Sequence, residues 1–318
     1  MDEDYPRTLL ELEDRFRTEE DCRAYLARLR WPEGFCCPRC RQARAWRLKQ
    51  GLFQCCGCDA IVSVTAGTIF HRSHLPLRVW FRAIWWVTNQ KSGVSALGLQ
   101  RTLGLGSYET AWACLHKLRR AMVRPGREPL TEVVEVDEIY VGGVEPGGGK
   151  RHLGETKALV AVAAEVRGRG IGRIRLQRLP DASGGSLVGF VRQAVAPGAV
   201  VTTDGWTAYP GLAQHGYHHQ PRTISGSGQT ASTLLPRVHR VAALLKRWLL
   251  GIHQGRISRE HLNEYLDEFA FRFNRRLSHH RGKLFYRLLQ HAVIMDAVPY
   301  TRLVVKQTAH KPMRLRTT

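Results

Sequence analysis

The 318-residue chain is 43% hydrophobic and 24% charged, a balance that excludes wholesale disorder. Its 48 Lys plus Arg against 27 Asp plus Glu give a formal net charge of +21, which points to a polyanionic partner, nucleic acid by default. The apolar stretch from Trp80 to Val87 is interrupted by Arg82, and the start MDEDYPR is acidic where a secretory leader is basic, so neither membrane spanning nor export is expected.

Residues 1–30 carry most of their acids in an amphipathic run, LLELEDRFRTEEDCRAYLARLR, which predicts a helix burying Leu9, Leu10, Leu12, Phe16, Tyr25 and Leu26. Of eight cysteines, six fall between Cys36 and Cys58, which suits metal binding in a reducing compartment better than a scattered disulfide framework. Cys37 and Cys40 form one C-x-x-C knuckle, Cys55 and Cys58 a second, and the segment between them, RQARAWRLKQGLFQ, reads as a hairpin of two short strands. Four thiolates so spaced can close a tetrahedron around structural Zn²⁺ at about 2.3 Å, leaving no open position for substrate. Cys36 and Cys56 are passed over because only the chosen four keep the two-residue spacing on both sides. This defines a zinc ribbon over 31–72.

From 73 to 129 the chain is basic and rich in tryptophan. SGVSALGLQRTLGLGSYETAWACLHKLRRAM holds two helical patterns joined at Leu103-Gly104-Leu105-Gly106, in the manner of a helix-turn-helix. Ser107 is the expected N-cap, and Ala111, Leu115, Leu118 and Met122 form the apolar face. His116, Lys117, Arg119 and Arg120 are then free to meet DNA phosphates. RPGREPLT reads as a linker, after which VVEVDEIYV, ALVAVAAEV, RIRLQRL and AVVTTD alternate with helical patterns in an α/β layout. The glycine-rich GGVEPGGGKRHLGETK reads as a flexible insertion.

Asp137 lies within one strand-like run and Asp204 ends another. If those strands are neighbours, the two carboxylates can share divalent cations such as Mg²⁺. Strand period places Glu135 on the face of Asp137 and Glu138 on the opposite one. Between Gly205 and Arg259 there is no Asp or Glu, so that window can supply no carboxylate ligand. VHRVAALLKRWLL is helical. Glu260, Glu264, Asp267 and Glu268 return on the next helix and read as a solvated face.

Taken in order, the two knuckles, SVTAGTIF, TAWACLHKLRRAM, VEVDEIYVGG, VTTDGWTAYPGL, HRVAALLKRWLLGIHQG and YLDEFAFRFNRR resemble the ISXO-like group of bacterial insertion-sequence transposases. The resemblance implies an N-terminal helix (1–30), the ribbon, a helix-turn-helix-like DNA-binding module (73–129), an RNase H-like DDE catalytic domain (130–290) and a basic C-terminal tail (291–318). It further implies a polynucleotidyl transferase that uses two Mg²⁺ ions to cleave and join DNA at terminal inverted repeats. Double-stranded DNA, both the element's ends and its target, would be the partner of a homo-oligomer associated with the cytoplasmic nucleoid. By the same resemblance Asp137 and Asp204 are the first two catalytic acids, and Lys246 is the lysine that follows the third. Counting two residues back from that lysine puts Leu244 at the third position, where no side-chain donor exists. His239, five residues earlier and about 140° around the helix, would point elsewhere. The reading is therefore a transposase impaired by Leu244. Its competitor is a non-catalytic zinc-ribbon DNA-binding protein or repressor descended from one, and a cellular RNase H-like nuclease would leave the ribbon unexplained.

Overall fold

A computed structural model describes residues 3–124, 126–142, 157–223, 230–254 and 257–304. The glycine-rich insertion, apart from its two end residues, and the tail beyond residue 304 lie outside the described residues. Packing divides the chain into two units, Met1–Arg124 with Ser278–Lys306, and Pro125–Leu277 with Gln307–Thr318.

In the first unit, the acidic N-terminal run forms two helices, α1 (Leu9–Arg15) and α2 (Glu19–Arg30), where the pattern predicts one. Thr18 is the cause. Its hydroxyl accepts from the Asp21 N–H while the Asp21 carboxylate accepts from the Thr18 N–H, a capping box that starts a new helix and resets its phase. Leu12, Phe16, Tyr25 and Leu26 are buried as expected, but the break leaves Leu9 and Leu10 in solvent at 50% and 77% exposure.

The knuckles are joined by an antiparallel hairpin, β1 (Ala45–Arg47) with β2 (Leu52–Cys55), and a third strand, β3 (Ile61–Ser63), pairs on the far side of β2. Three helices follow, α3 (Leu77–Asn89), α4 (Ala96–Leu103) and α5 (Tyr108–Ala121). Ser95 caps α4 by accepting from the Gly98 N–H at 3.0 Å, and Ser107 caps α5 by accepting from the Thr110 N–H at 3.1 Å. Between them Gly104 adopts φ +62°, the left-handed turn that lets α5 fold back on α4.

A further helix of this unit, Arg281–Ala292, begins within the range expected for the catalytic domain. Instead it packs on α2, α3 and α5. Phe285 is fully buried with its ring 5.7 Å from Phe81 and 5.8 Å from Trp85, and His291 Nδ1 lies 3.0 Å from the Ala121 carbonyl. The apolar stripe of α3 draws it there. Burying one such phenylalanine is worth about 1.5–3 kcal/mol.

The second unit is built on strands β4 (Val133–Val141), β5 (Ala158–Arg167), β6 (Gly170–Leu179), β7 (Val200–Thr203) and β8 (His218–Pro221). Their order is β6-β5-β4-β7-β8, with β4, β5 and β6 antiparallel and β7 and β8 parallel to β4. This is the RNase H-like sheet, with β4 at its centre. Helix α6 (Gly184–Ala194) covers one face, where Leu187 and Val191 meet Val134, Val136, Ala161 and Ala163. Helices α7 (Pro236–His253) and α8 (Leu262–Asn274) cover the other, where Val241, Leu245, Leu266 and Phe269 meet Ile139, Val141, Val160 and Val162. Even-numbered residues of β4 thus face α6 and odd-numbered ones face α7, so the strand's acids are divided between two environments.

Candidate functional site

Glu135 and Asp137 are the two polar residues on the inner, α7-facing side of β4, and both are buried, at 3% and 8% exposure. Glu135 has a full set of partners. Its Oε2 accepts from the backbone N–H groups of Arg237 (2.7 Å) and Val238 (3.1 Å), and its Oε1 accepts from the Arg237 guanidinium at 2.9 Å. Helix α7 opens at Pro236 with no side-chain cap from the residue preceding it, so this strand carboxylate is its N-cap and fixes where the helix begins. The next residue along α7 is His239, whose Nε2 lies 3.5 Å from Asp137 Oδ2. That nitrogen is shielded from solvent and has no hydrogen-bond partner.

Asp204 follows β7 directly. The parallel register ends at Glu135 with Thr202; carried two residues further, past the end of β7, it sets Asp204 opposite Asp137, whose carboxyl feels its charge. Gly205, at φ +84°, turns the chain there, and Asp204 Oδ1 accepts from the Trp206 N–H at 3.0 Å. On the opposite face of β4, Glu138 accepts a 2.7 Å hydrogen bond from the buried Tyr209 hydroxyl. Burial, then the charges of Glu138 and Asp204, push the Asp137 carboxyl up to about 7, against the opposing pull of a backbone N–H. Burial and Asp204 raise Glu138 as well, while Tyr209 resists the rise. Asp137, Glu138 and Asp204 thus repel one another near the middle of β4, and carboxylates beside an imidazole are donors suited to a hard divalent cation, although among the described residues only the four cysteines lie close enough together to hold an ion as they stand.

Position 244 does not belong to this cluster. Leu244 packs against the apolar residues between the sheet and α8. His239 and Leu244 do lie on different sides of the helix, as their spacing dictates, but the expected assignment of those sides is inverted: the histidine meets Asp137 and the leucine turns away. Lys246 is exposed and lies seven residues beyond His239, a rotation of about 700°, so it shares the histidine's side of α7 two turns further on. This spacing of seven from the lysine is the signal in the sequence that could have found His239, whereas nothing local marks Glu135 as a helix cap. The acids of the following helix are not uniformly solvated, since Glu268 is 1% exposed and ion-paired with Arg272 at 2.8 Å.

In the first unit, the sulfurs of Cys37, Cys40, Cys55 and Cys58 all lie within 4.8 Å of one another. Cys37 to Cys58 is 3.7 Å and Cys40 to Cys55 is 3.4 Å, close to the edge of about 3.8 Å that a tetrahedron with 2.3 Å bonds requires. The backbone N–H groups of Cys40 and Arg39 help bring the Cys37 thiol down to about 6, while against the pull of the Gln42 N–H the Cys55 and Cys58 sulfurs push Cys40 up to about 12. Cys36 and Cys56 are exposed and outside the cluster.

Residues 129–274 match the family model of the ISXO2-like transposase domain, and residues 17–60 match that of the transposase zinc-ribbon domain. Together they cover well over half of the chain. The chain belongs to the ISXO2-like transposase family. It is 27% identical over 277 residues to an uncharacterized protein in transposable element ISH50 of Halobacterium salinarum, a match spanning 81% of this chain and 91% of that protein. No solved structure matches it. Among the described residues, no helix of this transposase is long and apolar enough to cross a membrane.

Burial divides the basic residues that the sequence assigns to DNA. Arg120 is exposed, and Lys117 is half-buried with its pKa lowered by burial. Arg119 and His116, however, are 2% and 0% exposed. The reason is that α5 packs against α4 and against the helix Arg281–Ala292, which widens the buried arc beyond the expected stripe. Arg119→Ala should therefore lower stability by about 1–3 kcal/mol and leave the salt dependence of DNA binding intact. Lys117→Ala with Arg120→Ala should flatten that dependence, measured as log affinity against log salt, by up to about 0.9 for each phosphate no longer neutralised. A zinc prediction accompanies it. Metal analysis of the intact protein should find one zinc per chain, and Cys37→Ser with Cys58→Ser should lose it, since closing such a site contributes about 10–16 kcal/mol to folding.

Proposed function

We propose that this transposase is catalytically competent and cleaves and joins DNA strands at the terminal inverted repeats of its element. The observation that carries the reading is the approach of His239 to Asp137, which gives the two aspartates a third polar partner. Asp137 and Asp204 would hold divalent magnesium, with the His239 nitrogen as a further donor. When bound, the metal activates the attacking oxygen and stabilises the leaving oxygen of the phosphodiester. Glu135 holds the start of α7, and with it His239, against β4. Tyr209 anchors Glu138 on the far face, so that carboxylate is a structural neighbour of the site. Lys246, on the same side of α7 as His239, is positioned for the DNA backbone. The repressor reading rests on Leu244, and the packing of that partly buried side chain against the apolar cluster speaks against position 244 as a place for a metal ligand.

The test is cleavage of labelled DNA carrying the element's own ends, in Mg²⁺, by wild type and by Asp204→Ala. Cleavage by wild type that vanishes in the variant supports the reading. DNA binding with no cleavage by wild type would return the protein to the repressor class.

A further inference from the structure

The zinc ribbon presents two faces of opposite character. On the inner side Phe53 stacks on Phe35 at 5.4 Å and meets Trp31 at 5.0 Å, so the apolar residues that hold the ribbon together are gathered there. On the outer side Trp46 of β1, Gln54 of β2 and Ile61 of β3 stand in one row across the sheet, as the strand register dictates. Trp46 is 68% exposed and Ile61 62% exposed. Neither serves the ribbon's own core, and a bare indole in water is a standing cost.

The surroundings of this row state what would cover it. Arg39, Arg41, Arg44 and Lys49 are all exposed or half-exposed in the same module, and between Gly34 and Ala60 the sequence contains a single acid, Asp59, which Gln54 approaches at 3.5 Å. An exposed aromatic row in a module whose exposed charges are almost all basic complements a polyanion with flat apolar faces. In a duplex those faces are covered by neighbouring base pairs, so an indole can stack only on a base that is unpaired.

We propose that the outer face of the ribbon binds single-stranded DNA, with Trp46 stacking an unpaired base, Ile61 supporting a neighbour, and Arg41, Arg44 and Lys49 following the phosphates. Strands β1 and β3 are two sheet spacings apart, about 10 Å, so the two apolar contacts serve successive stretches of one strand. The choice of DNA rests on the transposase reading, but the binding requires neither the aspartates nor cleavage.

The experiment uses the full-length, zinc-loaded protein and fluorescence anisotropy of a labelled single-stranded oligodeoxynucleotide and of the matching duplex. Trp46→Ala should weaken single-strand binding about 5- to 100-fold. It should change duplex binding less than about twofold, because an indole neutralises no phosphate. Trp46→Phe should recover most of the affinity. Unchanged single-strand affinity in Trp46→Ala, or an equal loss on both DNAs, would overturn the proposal. If Trp46→Ala sheds its zinc, wild type decides the matter: photocrosslinking to a 5-bromodeoxyuridine strand should attach at Trp46, and attachment solely outside the ribbon would overturn it. Binding is read without Mg²⁺ and involves no cleavage, so failed cleavage leaves this result standing and failed stacking leaves the cleavage result standing.

Discussion

His239→Ala is expected to lower Mg²⁺-dependent cleavage of the element's ends by about 10²–10⁴-fold, the scale on which positioned acid, base and donor groups act. The imidazole nitrogen 3.5 Å from Asp137 is otherwise unpartnered, so its removal subtracts from the site and from little else. Leu244→Asn is the companion variant. A polar side chain there enters the apolar cluster between the sheet and α8, and should cost about 1–3 kcal/mol of stability without raising cleavage. Rates from single-turnover cleavage and midpoints from thermal unfolding separate the two effects. Activation by Leu244→Asn together with indifference to His239→Ala would reinstate position 244 as the missing ligand.

Glu135→Ala should destabilise the catalytic unit by about 3 kcal/mol, the low end for breaking a buried ion pair, because Arg237 retains 22% exposure and can rehydrate. The loss has two parts. Arg237 keeps its charge without its partner, and two N–H groups at the start of α7 lose their acceptor. Since His239 follows directly on that capped turn, cleavage should fall even at temperatures where the variant remains folded. Glu135→Gln, which keeps an acceptor for the helix but not the charge, should be milder in both respects. The unfolding transition of the second unit, followed by calorimetry, reads the first effect and single-turnover cleavage the second. An unchanged transition in Glu135→Ala would mean that α7 is held in place by its apolar face alone.

Much of this molecule is legible in residue order because the signals are local. Two C-x-x-C knuckles at ribbon spacing can hardly serve anything but a tetrahedral metal, and the four chosen sulfurs do converge. Serine caps and a glycine turn mark the paired helices, and alternation along VVEVDEIYV assigns Glu135, Asp137 and Glu138 to the sides of the strand they occupy. Local signals fail where a neighbour distant in sequence makes the decision. A stripe of three or four apolar residues predicts one packed face on α5, but a second helix arriving from residues 281–292 buries Arg119 from another side.

The same limit explains the proposed third site residue. Residue order determines that His239 and Leu244 lie on different sides of α7, because the rotation of about 100° per residue is a property of the helix alone. Which of the two sides meets the aspartates depends on how α7 is rotated against the sheet, and nothing within the helix specifies that. The rotation is set by Val241, Leu245 and Leu249 packing on the sheet face and by a carboxylate on β4, a hundred residues earlier, that takes hold of the helix's first free N–H groups.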